Sequence, residues 1–318
     1  MIILYALFAL SAFFPVYTYA LYPFVLKTLK GKEYKKGNIE PKISIIVVGD
    51  DVNEKLENIK KCDYTDIEII CGDYDSADRA KGDIILFTDT KTLLDISAIR
   101  EIVKSFADER VACVIGQQTN PKGNSAFWKY ENLIKRLESR IGCVSGANTS
   151  IFAVRKRDLP EIPDKVVNKP FFIVTKITEA GRDIVFHESA KAYEGESKGT
   201  NFDKHVNDAV GYWQAFKLFP KMLKPRHGSF VYISHRVMKW FVWLNMVSAL
   251  ITSGILSVKS CFMRILFIIQ LILYLIPLIY RKRDLKKFGK LINIWQYFIS
   301  LNSSYLVGLF KYVTRGNK

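Results

Sequence analysis

Aspartates follow three short apolar runs of the sequence, at the point where each run ends. Asp50 and Asp51 follow KISIIVV, Asp73 and Asp75 follow IEIICG, and Asp89 closes DIILFTD. Carboxylates gathered at one place repel one another unless a cation or hydrogen-bond donors hold them. A single aspartate could equally serve a strand-ending turn. The set as a whole predicts a site with a hard divalent cation as its natural counter-ion.

The apolar runs themselves are typical of strands buried on both faces of a parallel sheet. Four strands are predicted, over residues 42–48, 67–72, 83–89 and 111–117, with amphipathic helical stretches such as NEKLENIKKC and LLDISAIREIVKSFADE between them. This alternation predicts an α/β domain over 42–225. Ligands of open α/β sheets bind beyond the carboxyl ends of the strands, which is where the aspartates stand.

Composition excludes a disordered chain and indicates a membrane protein. The 318 residues carry a net charge of +16, with 49% hydrophobic residues. A mean hydropathy of +0.06 beside 25% charged residues requires apolar residues to be segregated along the chain. The five cysteines form no CxxC pair, which argues against zinc and a disulfide framework and favours a reduced compartment.

The first segment, 1–26, has no charged residue and is long enough to cross a bilayer. It lacks the basic start of a secretory signal, so we expect an uncleaved anchor. Five lysines lie in the basic juxtamembrane linker, 27–41. By the positive-inside rule they place the α/β domain in the cytoplasm.

The C-terminal part predicts more membrane segments. An interfacial segment over 226–240 leads into a membrane region, 241–313, and a short tail, 314–318. The membrane region contains a predicted helical hairpin, 241–258 and 262–280, a basic cluster after residue 280, and a last apolar segment that either spans or lies at the interface. We therefore expect a multi-pass protein of the cell membrane. Membrane lipids account for much of the positive charge, so no nucleic-acid partner is expected.

Several motifs, in order, carry a resemblance to a known family. PKISIIVV, CDYTDIEIICGDYDSAD, AKGDIILFTDTKT and FWKYENLIKRLESRIGCVSGANTSIFAVRKRDL resemble family 2 glycosyltransferases of the GT-A fold. More narrowly, the chain looks like the membrane-integrated branch that includes hyaluronan and poly-N-acetylglucosamine synthases. The flanking segments TYALYPFVLKTLKG, SHRVMKW and SLNSSYLVGLFKYV look like that branch too. The resemblance covers nearly the whole chain.

The resemblance implies a membrane-bound enzyme that transfers sugar from a nucleotide-sugar to a lipid-linked or polysaccharide acceptor. The donor expected for this branch is a UDP-sugar. It implies that Asp73 or Asp75 contacts the nucleotide and that Asp89 binds the diphosphate and Mg2+ or Mn2+. We assign nucleotide binding to Asp50, Asp51, Asp73, Asp75 and Lys91, the metal to Asp89, and acceptor stacking to Trp213.

The sequence departs from the family pattern at the positions of the catalytic and binding residues. Lys91 stands where the second acid of Asp-x-Asp is expected, although a lysine can itself hold a phosphate. Lys169 and Pro170 stand at the position of the general base, and Asp164, five residues earlier, is the candidate replacement. Asn207 replaces an arginine. The link SADRAKG between the second and third strands is also short for a parallel crossover.

Two hypotheses from different classes follow. The first is an active glycosyltransferase, supported by the scaffold and the aspartates. The second is a catalytically inactive subunit or binding module that partners an active synthase in the membrane. The losses at Lys91, Lys169, Pro170 and Asn207 support this second hypothesis, and the two hypotheses stay open.

Overall fold

A computed structural model describes residues 1–119, 126–147, 149–194, 202–280 and 290–315. The chain divides into two compact units. The helical unit comprises Met1–Val25, Thr200–Gln214 and Ile233–Lys318. The sheet unit comprises Leu26–Gly199 and Ala215–Tyr232.

The sheet unit is built on a seven-stranded mixed sheet, which confirms the predicted α/β fold. Its strands are β1 (Ile43–Val48), β2 (Ile67–Cys71), β3 (Ile84–Asp89), β4 (Thr92–Leu94), β5 (Val111–Thr119), β6 (Phe152–Arg155) and β7 (Asp183–Glu194). The order across the sheet is β2-β1-β3-β6-β5-β7-β4. β1 is parallel to both β2 and β3, β5 is parallel to β7, and β6 runs antiparallel between β3 and β5.

Helices of the sheet unit cover both faces of this sheet. The helices of both units, in chain order, are α1 (Ile2–Thr28), α2 (Asn53–Lys60), α3 (Ala98–Lys104), α4 (Ala126–Ser139), α5 (Lys169–Glu179), α6 (Phe202–Leu218), α7 (Ser229–Ser257), α8 (Cys261–Tyr280) and α9 (Lys290–Arg315). Alternate residues of a strand point to opposite faces. Accordingly, Ile45 joins the core that contains Ile99 of α3, whereas Ile46 joins the core that contains Ile173 of α5.

The connection from β2 to β3 is as short as its sequence predicts. It is a 3-10 helix, Tyr74–Arg79, that joins two strands lying on either side of β1. The Tyr74 ring packs on the Phe87 ring of β3, with centroids 5.2 Å apart. Lys156 Nζ donates to the Ala80 carbonyl at 2.6 Å. A minimal helical link therefore suffices where a crossover usually needs a dozen residues.

The predicted helix over LLDISAIREIVKSFADE begins later than expected. Its first residues belong to β4, which pairs antiparallel with β7. The Asp95 carboxylate then accepts from the Ser97 amide at 3.1 Å and from the Ser97 hydroxyl at 2.9 Å, a local turn that competes with helix. The helix starts only at Ala98.

Two of the described helices are long and apolar enough to cross a membrane, Ile2–Thr28 and Ser229–Ser257. The apolar helix over Cys261–Leu275 is shorter. α7 runs without interruption through most of the segment predicted as interfacial, 226–240. The basic cluster at 281–287 lies outside the described residues, as does most of the predicted tail. Within the helical unit, Ser11 Oγ of α1 donates to Ser248 Oγ of α7 at 2.9 Å.

Candidate functional site

The strand register brings the predicted aspartates to one edge of the sheet. Val47 of β1 is level with Cys71 of β2, and Val48 is level with Asp89 of β3. Asp50, Asp51, Asp73 and Asp75 follow these strand ends by a few residues, so they extend the same edge, which we call the aspartate edge. The chain turns tightly there, since a Cβ on Gly49 (φ +122°) would stand 2.7 Å from Thr90 Oγ1.

Asp89 is the most firmly held carboxylate of the aspartate edge. Its Oδ1 accepts from the Thr92 hydroxyl at 2.9 Å and from the Lys91 amide at 3.2 Å. Its Oδ2 accepts from the Thr149 hydroxyl at 2.7 Å. A carboxylate offers about four acceptor positions. The Asp89 carboxylate is therefore fixed in orientation, and about one of its acceptor positions stays available to a ligand. The residue is half-buried.

Lys55 of α2 places a buried positive charge beside this carboxylate. The residue is 0% exposed, and its Nζ donates to the Thr92 carbonyl at 2.5 Å. Burial lowers the pKa of the Lys55 ammonium to about 8, and the Asp89 charge opposes that shift. A buried cation costs stability unless it is paired. Asp89 is the counter-charge that most favours the protonated form of Lys55.

Lys55→Met is expected to stabilise the fold at pH 7 by about 2–3 kcal/mol, because about 1.4 kcal/mol accompanies each unit of pKa displacement. The folded-state pKa lies below the ordinary value, so the unfolded chain binds more protons between pH 8 and 10.5. Wild-type stability therefore rises over that window. The advantage of the variant should shrink there, as measured by thermal unfolding from pH 6 to 10. An advantage that does not change with pH would contradict a charged Lys55.

Lys169 bridges the two aspartates that follow β2. Its Nζ lies 2.6 Å from Asp73 Oδ2 and 2.6 Å from Asp75 Oδ2. Partial burial lowers the pKa of Lys169, but the hydrogen bonds to the two aspartates outweigh it and the net shift is upward. The helix α5 positions this lysine, because the Asn168 side chain caps it by accepting from the Phe171 amide at 3.1 Å. Asp73 and Asp75 thus face a cation supplied by the chain.

Of the other predicted site residues, Lys91 contacts Asp89 through its main-chain amide, described above. Asp50, Asp51 and Lys91 are exposed. Asp164 is exposed in the turn before α5. Trp213 is buried in the helical unit, where its indole donates to the Tyr305 carbonyl at 2.9 Å. The roles assigned to Asp164 and Trp213 stay predictions.

Whether these residues fit a divalent metal depends on Asp89. The described ranges contain no group of three or more His, Cys, Asp or Glu side chains placed to share an ion. Proteins commonly bind Mg2+ through one or two carboxylates together with substrate phosphates rather than in an all-protein cage. One carboxylate with one acceptor position left fits an ion that arrives on a diphosphate.

Solved structures identify the fold. No protein-family model matches the chain, and no curated protein matches it. The chain is similar to the mannosyltransferase PcManGT from Pyrobaculum calidifontis, solved with GDP-Man and Mn2+, at 15% identity and a TM-score of 0.73 over 96% of this chain and 99% of that chain. This chain has the GT-A fold. A weaker likeness links it to glucosyl-3-phosphoglycerate synthase from Mycobacterium tuberculosis, solved with Mn2+, UDP and phosphoglyceric acid, at 10% identity and a TM-score of 0.40 over 56% of this chain and 78% of that chain.

Proposed function

We propose that the chain is a membrane-bound family 2 glycosyltransferase, of hexosyltransferase type, acting on a nucleotide-sugar and a lipid-linked or polysaccharide acceptor. One observation carries the proposal: on a GT-A scaffold, Asp89 lies at the carboxyl edge with its orientation fixed by two hydroxyls and an amide. The two apolar helices support a place in the cell membrane. The motif resemblance supports a UDP-sugar donor.

The side chains of the aspartate edge suit a diphosphate leaving group. Lys91 is exposed directly beyond Asp89 and supplies a point charge for a phosphate oxygen. A bound Mg2+ or Mn2+, held by Asp89 and the donor phosphates, would neutralise charge that develops on the leaving group. We assign to Asp73 and Asp75, which Lys169 orients, the role of accepting hydrogen bonds from the nucleoside. We assign to Asp164 the role of the general base, which accepts the proton of the acceptor hydroxyl.

Sugar transfer in isolated membranes tests this function. Membranes that contain the full chain would be supplied with labelled UDP-sugars and GDP-sugars, and both the labelled product and the released nucleoside diphosphate would be measured. We expect release and incorporation from one donor class in equal amounts. Absence of transfer from every donor, with folded protein present in the membranes, would contradict the enzyme.

A second candidate function is a catalytically inactive subunit that partners an active synthase. The bridge from Lys169 to Asp73 and Asp75 favours it, since an internal cation already occupies these carboxylates. Under this hypothesis the native protein co-purifies with a second membrane protein. Recovery of the chain alone, with full transferase activity, would rule this candidate out.

A further inference from the structure

A cavity of about 400 Å³ lies in the sheet unit, at the edge opposite the aspartates. Its walls come from the residues that follow β6, the last turn of α5 and the residue before β7. Ile84, at the start of β3, is level with Arg155 at the end of β6, and Val111 of β5 is level with Asp183 of β7. The cavity therefore stands at the edge where the parallel strands begin, whereas Asp89 ends one of them.

The lining of this cavity is strongly basic. Five cations face two carboxylates: Arg157, Lys176, Arg182, Lys221 and Arg226 against Asp158 and Glu179. Glu109, which lies outside the lining, pairs with Arg157, so two positive charges are left without a carboxylate partner. Such an excess in a concave site attracts anions.

The ion pairs within the cavity fix its walls without neutralising this excess. Arg182 donates to both oxygens of Asp158, at 3.0 Å each. The Arg226 guanidinium donates to the Glu179 main-chain carbonyl at 2.8 Å, a contact that orients the cation and leaves its charge uncompensated. The Lys221 ammonium makes no hydrogen bond or ion pair with the described residues. Lys221 and Arg226 are both exposed, so their charges are available to a ligand.

Two observations indicate an anion that belongs to a lipid. The cavity wall also contains Leu159, Pro160 and Ile177, which offer apolar contact to the carbon atoms of an esterified phosphate. Arg226 precedes the first residue of the apolar helix Ser229–Ser257 by only three residues. Three residues span at most about 11 Å. Arg226 is therefore close to the start of a candidate membrane helix, and a helix that spans a bilayer ends among the phospholipid phosphates.

We infer that this basic cavity binds the phosphate of an anionic phospholipid and is separate from the aspartate edge. Lys221 and Arg226 contact the phosphate, and the Arg182–Asp158 pair holds the wall behind them. The inference rests on the membrane location in the proposed function but not on sugar transfer, because lipid binding is measured without a sugar donor.

Native mass spectrometry of the full chain in non-ionic detergent tests this site. The probes are phosphatidylglycerol, phosphatidylcholine with the same acyl chains, and inorganic phosphate. We expect selective binding of phosphatidylglycerol, reduced at least about tenfold in the variant Lys221→Glu/Arg226→Glu. The control is Lys217→Glu/Lys224→Glu, which makes the same charge change at two exposed lysines of the same basic stretch that do not line the cavity.

If the double variant fails to fold, the milder variant Lys221→Ala provides the test. It is expected to weaken phosphatidylglycerol binding by several-fold. Equal binding of both lipids, or an equal loss in the control variant, would overturn the inference. Displacement of phosphatidylglycerol by millimolar inorganic phosphate would contradict lipid binding. It would show that the cavity binds free phosphate ions.

Discussion

Asp89→Asn is expected to lower sugar transfer by about 100-fold or more, the usual effect of removing one well-oriented electrostatic contact from an active site. Asparagine has nearly the shape of aspartate, and its oxygen can still accept from Thr92 or from Thr149. The change therefore removes a negative charge facing the diphosphate while preserving the local geometry. Transfer rates at saturating donor, measured beside the melting temperature, provide the test.

A double variant separates catalysis from stability in that experiment. Asp89→Asn alone leaves Lys55 without its counter-charge, so it should destabilise the fold at pH 7. Adding Lys55→Met removes the buried ammonium and should restore the melting temperature without restoring transfer. Wild-type transfer in the single variant, or recovery of transfer in the double variant, would show that Asp89 does not act on the donor.

Lys169→Met is expected to weaken nucleotide binding by about tenfold, since one tenfold step needs only about 1.4 kcal/mol. Without the ammonium, the Asp73 and Asp75 carboxylates repel each other and lose the orientation that presents them to a nucleoside. Their side chains are 56% and 47% exposed, so the two ion pairs contribute little to folding. Calorimetric titration of the full chain with UDP and GDP measures the affinity.

The matched control is Lys60→Met, which removes an exposed ion pair with Glu57 in the last turn of α2 and leaves the Lys169 bridge in place. It should leave nucleotide affinity unchanged. The inactive-subunit hypothesis makes the reverse prediction for Lys169→Met, because freeing two carboxylates from an internal cation should increase ligand affinity. A rise in affinity would therefore contradict the orienting role and favour that second candidate.

The sequence predicted the scaffold well because its signals are local. Near-continuous apolar runs identified β1, β2, β3 and β5, and the aspartates that follow the first three do meet at one edge. β4, β6 and β7 were not among the predicted strands. The three residues of β4 form a strand only through pairing with β7, which lies about a hundred residues further along the chain.

The interior of the site was less predictable because its contacts are distant in sequence. Lys169 and Asp73 are 96 residues apart, and Thr149 and Asp89 are 60 apart, so no spacing rule joins them. Lys55 did leave a signal. It stands four residues before Ile59 on the buried side of α2, and a lysine on an apolar helical stripe indicates a buried charge.

Nucleotide binding by the detergent-purified full chain tests the central claim most directly. Melting temperature would be measured with UDP and with GDP, each with and without Mn2+, because selective binding to the folded state raises apparent stability. The account predicts a shift with one nucleotide, larger in the presence of Mn2+ and absent in Asp89→Asn. No shift with either nucleotide under any condition, in protein shown to be folded, would contradict a donor site at the aspartate edge.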